Sequence, residues 1–179
     1  MLRGFAAIGA MSLLTIAFQN CADSNSVQAI GQASASVPGP VIQLNLASNA
    51  SIPTSVWTKV PMTVVEIDTD NMLDTANQRI LPSKAGIYRI HFNAMFSMTG
   101  TGAFTIYIAI YKNGQNNRQI SQLINYTGGF GQTLSADTLI YLNGATDYIE
   151  GYAYTNSGTA SIINGPAATW ISAEYIRAQ

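Results

Sequence analysis

From Val41 to Ile176 apolar and polar side chains alternate with a period of two, and no stretch of ten residues after Pro40 carries a helical stripe. Val41, Gln43 and Asn45 alternate with Ile42, Leu44 and Leu46, and Ile106, Ile108 and Ile110 alternate with Tyr107, Ala109 and Tyr111. Successive side chains of an extended chain point to opposite faces, so this rhythm predicts half-buried strands. It places them near 41–47, 56–67, 77–81, 86–97, 103–112, 118–126, 134–142, 147–155 and 168–177. Short strands at such regular spacing predict an all-β chain built as an antiparallel β-sandwich or jelly roll.

Turn chemistry falls between these segments. Asn113-Gly114 is a strong short hairpin signal, because both central residues of a type I′ turn need positive φ, and Asn143-Gly144 repeats it. Residues 82–86 (PSKAG), 99–102 (TGTG) and 127–129 (TGG) read as further loops.

The start of the chain has a different character. Arg3 precedes the apolar run Gly4 to Phe18, and Gln19-Asn20-Cys21 leads into a polar stretch. A basic start, a short apolar run and a polar exit describe a secretory signal. At ~1.5 Å per residue the run is too short as a helix for a hydrocarbon core of about 30 Å. Cys21, alone in the chain, resembles the lipidated cysteine of bacterial lipoproteins, although Asn20 stands where that family carries a small residue. Lipidation, ordinary secretion and an uncleaved packed helix all remain open. Residues 1–21 are thus expected to be a lipoprotein-like signal, 22–40 a small, polar tether, and 41–179 the domain. A lipid on Cys21 is the only membrane attachment expected. This start points to an exported protein of the bacterial cell envelope, or a secreted one.

Charge narrows the partners. Charged residues are 9% of the chain, against about 25% in ordinary globular proteins, and the net charge is −1. Such a surface offers no field for gathering phosphates, so nucleic acid is not an expected partner. The domain contains no cysteine and must be held by packing.

Residues 82–92 (PSKAGIYRIHF) resemble the Ala-Gly-x-Tyr-x-aliphatic-x-Phe strand of the tumour-necrosis-factor and complement C-one-q globular-head superfamily. Other pieces follow in that superfamily's order: Trp57-Thr58-Lys59-Val60, Ile110 to Gly114, Leu142-Asn143-Gly144, and Trp170 to Ile176. The superfamily's Lys-Gly-Asp turn is replaced here by Asn143 to Asp147, and Ser172 and Glu174 stand at usually apolar or glycine positions. The resemblance implies a homotrimer, with one sheet turned toward a threefold axis. On segment 86–97 Tyr88, Ile90, Phe92 and Ala94 share one side, and Arg89, His91, Asn93 and Met95 the other. On 134–142 Ser135, Asp137, Leu139 and Tyr141 oppose Leu134, Ala136, Ile140 and Leu142, with Leu139 the misfit. Arg89, His91, Asn93, Asp137 and Tyr141 are the candidate axis residues.

The remaining constellations are weaker. His91 is the only histidine, and no Gly-x-Ser-x-Gly elbow accompanies it, so no catalytic residue and no enzyme activity are expected. Residues 68–74 (DTDNMLD) concentrate oxygen ligands, but the sixth position is Leu73 and the twelfth Arg79, so the loop is not an EF-hand. It reads as a solvated loop with Asx turns, and no metal is assigned. No phosphate-cradling loop or CxxC occurs, so no cofactor is implied. Asn49-Ala50-Ser51 and Asn125-Tyr126-Thr127 match the glycosylation pattern, which has no expected use in a bacterium. Tyr148, Tyr152 and Tyr154, on one face with Glu150, are the ligand-binding candidates; the alternative is stacking across strands on Tyr107 and Tyr111. The expectation is a non-catalytic homotrimeric binding or adhesion module recognising a protein or glycan through loops 99–102, 113–117, 127–132 and 156–166. The alternative is a structural fibre-tip or capping subunit of an envelope or phage-like assembly.

Overall fold

Period-two patterning needs partners for its backbone groups and a second layer for its apolar side. Both are present in the computed structural model, which describes residues 39–156 and 158–179. The signal segment with Cys21, and residues 22–38 of the tether, lie outside the described residues. The elements in order are β1 (Val41–Leu46), β2 (Ala50–Ile52), β3 (Thr58–Lys59), β4 (Met62–Asp68), β5 (Leu73–Asp74), β6 (Arg79–Ile80), β7 (Gly86–Lys112), β8 (Gln115–Leu142), β9 (Ile149–Thr155), β10 (Thr159–Ile162) and β11 (Trp170–Arg177). All pairings between these strands are antiparallel.

A single long hairpin organises the sandwich. β7 and β8 pair from Gly86↔Leu142 to Lys112↔Gln115, around a turn where Asn113 and Gly114 have φ of 53° and 75°. The type I′ expectation at Asn113-Gly114 is met. The first half of β7 pairs with β11, and its second half pairs with β9. The pairing path therefore folds over midway along the hairpin. One sheet runs β4-β1-β11 to the first half of β7 and the second half of β8; the other joins β9, with β3 and β6 beside it, to the remaining halves. Phe92 of the first sheet faces Gly151 of the second, where an added Cβ would lie 3.0 Å from the ring.

The fold-over corrects the strand boundaries. Segments 86–97 and 103–112 are one strand, as are 118–126 and 134–142, so the expected loops 99–102 and 127–132 are paired backbone. Glycine makes this possible: Gly100 pairs with Gly128, and Gly102 and Gly128 both have φ of 109°, a conformation that bends the ribbon without opening the ladder. Expected strand 56–67 is split at Val60-Pro61 into β3 and β4, since proline cannot donate to a ladder. Asn143-Gly144 is not a second hairpin. It starts a crossover from β8 to β9, which do not pair, and the Asn143 side chain shapes it by accepting from the amides of Ala145, Thr146 and Asp147.

Between the sheets lies the core. Tyr88, Ile90, Phe92, Ala94 and Phe96 of one half of β7 are fully buried, as are Ile106, Ile108 and Ile110 of the other, so even-numbered positions point inward on both sides of the bend. Ile42, Leu44, Leu142, Ile149, Ile171 and Ala173 close the layer. Each large apolar side chain buried this way contributes about 1.5–3 kcal/mol, which lets packing replace the absent disulfide.

Candidate functional site

With the core filled by even-numbered positions of β7, the odd-numbered positions form two outward faces, one per sheet. On the first sheet, register aligns them in rows across four strands. Val41, Glu174, Arg89 and Leu139 make one row; Gln43, Ser172, His91 and Asp137 the next; Asn45, Trp170, Asn93 and Ser135 the third. The sequence-derived axis candidates Arg89, His91, Asn93, Asp137 and Tyr141 thus lie on one continuous face, with Tyr141 opposite Ile87.

Their environments differ. His91 stacks on Trp170 with ring centroids 4.6 Å apart, and its Nδ1 lies 3.4 Å from Asp137 Oδ2. Asn93 is buried; its amide donates to the Ala168 carbonyl and its oxygen accepts from Ser135. It pins the segment before β11 and does not present its side chain outward. Asn45, in the same row, is also buried, and its Oδ1 has no partner among the described residues. Leu139, the misfit of the alternation, is 60% exposed and Tyr141 41%, at the β8 edge of this face. At the opposite edge, β4 exposes Val64, Val65 and Ile67.

The outward face of the second sheet is aromatic. Cross-strand register sets Tyr107 against Tyr154 and Ala109 against Tyr152. Tyr111 stacks on Tyr152 at 4.1 Å, and Tyr107 meets Tyr154 edge-on at 5.4 Å. Of the candidates Tyr148, Tyr152 and Tyr154, the last two are therefore in the cross-strand stack. Trp57, just before β3, joins them at 5.3 Å from Tyr154, 5.9 Å from Tyr107 and 6.0 Å from Tyr111. Sequence reading placed Trp57 in the expected strand 56–67 but did not assign it to this face; the residue precedes β3, and long-range packing sets its ring against the tyrosines. Tyr148 stands apart, with the Arg79 guanidinium 4.2 Å above its ring.

Ion pairs border this aromatic face. Lys59 meets Glu150 at 2.6 Å, Arg79 meets Asp74 at 2.7 Å, and Lys112 meets Asp147 at 2.9 Å. Desolvation pushes the phenols of Tyr111 and Tyr152 up, aided at Tyr152 by the Glu150 carboxylate, so both rings stay neutral across the physiological range. On the neighbouring strand β8, Ser121 pairs with Tyr107 and Gln119 with Ala109, and both side chains are exposed.

Two carboxylates of the acidic loop are engaged by neighbouring residues. Asp68 accepts from the amides of Asp70, Met72 and Leu73, and Asp74 from Asn77 and Arg79. The Asn77 hydrogen bond, foremost, holds the Asp74 carboxyl below the usual carboxylate range. Among the described residues no group of three or more His, Cys, Asp or Glu is placed to hold a metal ion. No helix there is long and apolar enough to cross a membrane. Asn49 of the first glycosylation-like triplet accepts from the Asn164 amide at 2.8 Å.

No protein-family model matches the sequence, and no curated protein matches it. Solved structures do match the fold. Murine APRIL at pH 5.0 superposes with a TM-score of 0.57 at 13% identity, covering 76% of this chain and 98% of that one. Eiger TNF from S. frugiperda gives 0.55 at 8% identity, covering 79% and 95%, and the globular domain of zebrafish complement 1qA protein gives 0.52 at 9%, covering 78% and 98%. The all-β jelly roll of this chain is similar to tumour-necrosis-factor and complement globular-head structures.

Proposed function

We propose that the chain is an exported, non-catalytic homotrimeric binding module. The observation that carries the trimer is the outward face of the first sheet: mixed polar rows run between Leu139 and Tyr141 at the β8 edge and Val64 and Ile67 at the β4 edge. Two unlike apolar patches on opposite edges satisfy each other head to tail, and a head-to-tail contact that closes makes a ring. Similarity to trimer-forming folds supports three as the ring size, and His91, Asp137, Arg89 and Tyr141 would then line or border the axis. In such a ring the second sheet faces outward on each protomer, with Tyr148, Tyr152 and Tyr154 accessible to a protein or glycan. Of the four loops expected to bind, 99–102 and 127–132 are wholly paired strand and 113–117 and 156–166 partly so, which moves recognition toward this face.

Light scattering of the purified chain tests the ring. A mass of three protomers at micromolar concentration is expected, and Leu139→Asp with Tyr141→Asp is expected to reduce it to one. A single-protomer mass for the unaltered chain overturns the trimer. For Cys21, the proposal is a lipid anchor, with the signal removed before it. Palmitate label incorporated by cells making the chain should vanish on Cys21→Ser, and unlabelled native chain rejects the anchor.

A further inference from the structure

The aromatic face of the second sheet has a composition that neither solubility nor core packing requires. Its rings lie outside the core, which the even-numbered positions of β7 already fill. Trp57, Tyr107, Tyr111, Tyr152 and Tyr154 nevertheless gather at centroid separations of 4.1–6.0 Å and stay half-buried. Such side chains hold large contact area at low conformational cost, because mutual stacking has already fixed their rotamers.

We propose that this face binds a neutral hexopyranose polymer, with sugar rings laid on the aromatic side chains. The inference deepens the reading of the chain as a binding module, and rests on it. Three observations select this occupant. The bordering cations are tied to carboxylates, Lys59 to Glu150, Arg79 to Asp74 and Lys112 to Asp147, so the face gives no net attraction to an acidic glycan or to the phosphates of a nucleic acid. Sugars need apolar contact for their C–H faces together with hydrogen-bonding groups for their hydroxyls. The rings supply the first, and the exposed Gln119 and Ser121 on the adjacent strand supply the second. The face is also an open sheet surface, as suits a polymer that continues past the site at both ends.

Titration of the full chain with cellohexaose, laminarin, galactan and mannan, with polygalacturonate as the acidic comparison, tests the proposal by calorimetry and tryptophan emission. At least one neutral polymer should bind saturably, and Trp57→Ala should weaken it by about tenfold or more, as loss of a central aromatic anchor does. Trp57→Phe should recover part of the loss. Should Trp57→Ala lower the unfolding midpoint enough to spoil the reading, the exposed pair Gln119→Ala with Ser121→Ala takes its place, with an expected weakening of about threefold to tenfold. No binding by any of the four neutral polymers, preference for polygalacturonate, or affinity unchanged in these variants overturns the proposal. A blank with the three-protomer mass retained removes the platform and leaves the ring. Glycan binding by a single protomer does the reverse.

Discussion

The imidazole of His91 lies flat against the indole of Trp170, with 12° between ring planes, while Asp137 approaches its Nδ1 from the strand on the other side. Both rings sit on the outward face of the first sheet, so the stack is formed by cross-strand pairing and not by the core. Trp170→Ala should cost about 1–3 kcal/mol of folding stability. A double-mutant cycle with His91→Ala should return a coupling of about 0.5–1.5 kcal/mol. Urea unfolding of the four chains measures it, and additive effects would show that the rings merely share a surface.

Asp147 ties the β7–β8 turn to the β8–β9 crossover. Its carboxylate accepts from Asn113 Nδ2 at 2.7 Å and the Asn143 amide at 3.0 Å, with Lys112 Nζ at 2.9 Å. Burial pushes its carboxyl up, but the hydrogen bonds from Asn113, Lys112 and Asn143 outweigh this and hold it below the ordinary value of 3.8. The folded state therefore favours the ionised form. The resulting stability is present above the unfolded value and is lost as pH falls through the folded one. Asp147→Ala should cost about 2–4 kcal/mol at pH 7. Unfolding midpoints taken between neutral and strongly acid pH should fall less steeply in Asp147→Asn than in the native chain.

Tyr88 gives the opposite limb. Its fully buried ring donates a phenol hydrogen bond to the Lys84 carbonyl, and desolvation pushes the phenol from 10.0 up to about 12, with smaller help from Tyr175 and Asp70. A raised folded value means that this contribution is complete below pH 10 and disappears as pH rises toward 12. Tyr88→Phe should cost about 1 kcal/mol at pH 7, the usual value of one hydrogen bond. It should also flatten the alkaline decline in denaturant midpoint, and an unchanged alkaline limb would assign that decline to other groups.

Gly151 of the second sheet lies against the Phe92 ring of the first. An added Cβ would stand 3.0–3.2 Å from three atoms of the Phe92 ring, which is fully buried. Gly151→Ala should therefore cost about 1–3 kcal/mol through overpacking. Phe92→Leu in the same chain should recover part of that loss, read as a thermal midpoint above that of Gly151→Ala alone.

Much of the architecture was legible in the residues because burial follows parity. The division of Tyr88, Ile90, Phe92 and Ala94 from Arg89, His91, Asn93 and Met95 was readable without coordinates, since a strand has only two sides. The merging of four segments into β7 and β8 was not. Glycine-rich stretches at 99–102 and 127–131 carry the composition of loops, and only the paired geometry of Gly100 with Gly128 shows that they bend a continuous ladder. β2 and β10 span 3 and 4 residues, too short for any periodicity to register. Trp57 escaped for a related reason, since long-range packing and not local pattern brings it to Tyr107 and Tyr154. Asn93 was placed on the right face, but its bond to Ala168 depends on a segment 75 positions away.

Because β7 and β8 each pass from one sheet into the other, the sandwich has no internal seam. A break within β7 or β8 severs a ribbon that both layers share, so neither layer could survive as a smaller heritable unit. Insertion or recombination inside either strand would be punished, and the domain would travel between genes whole.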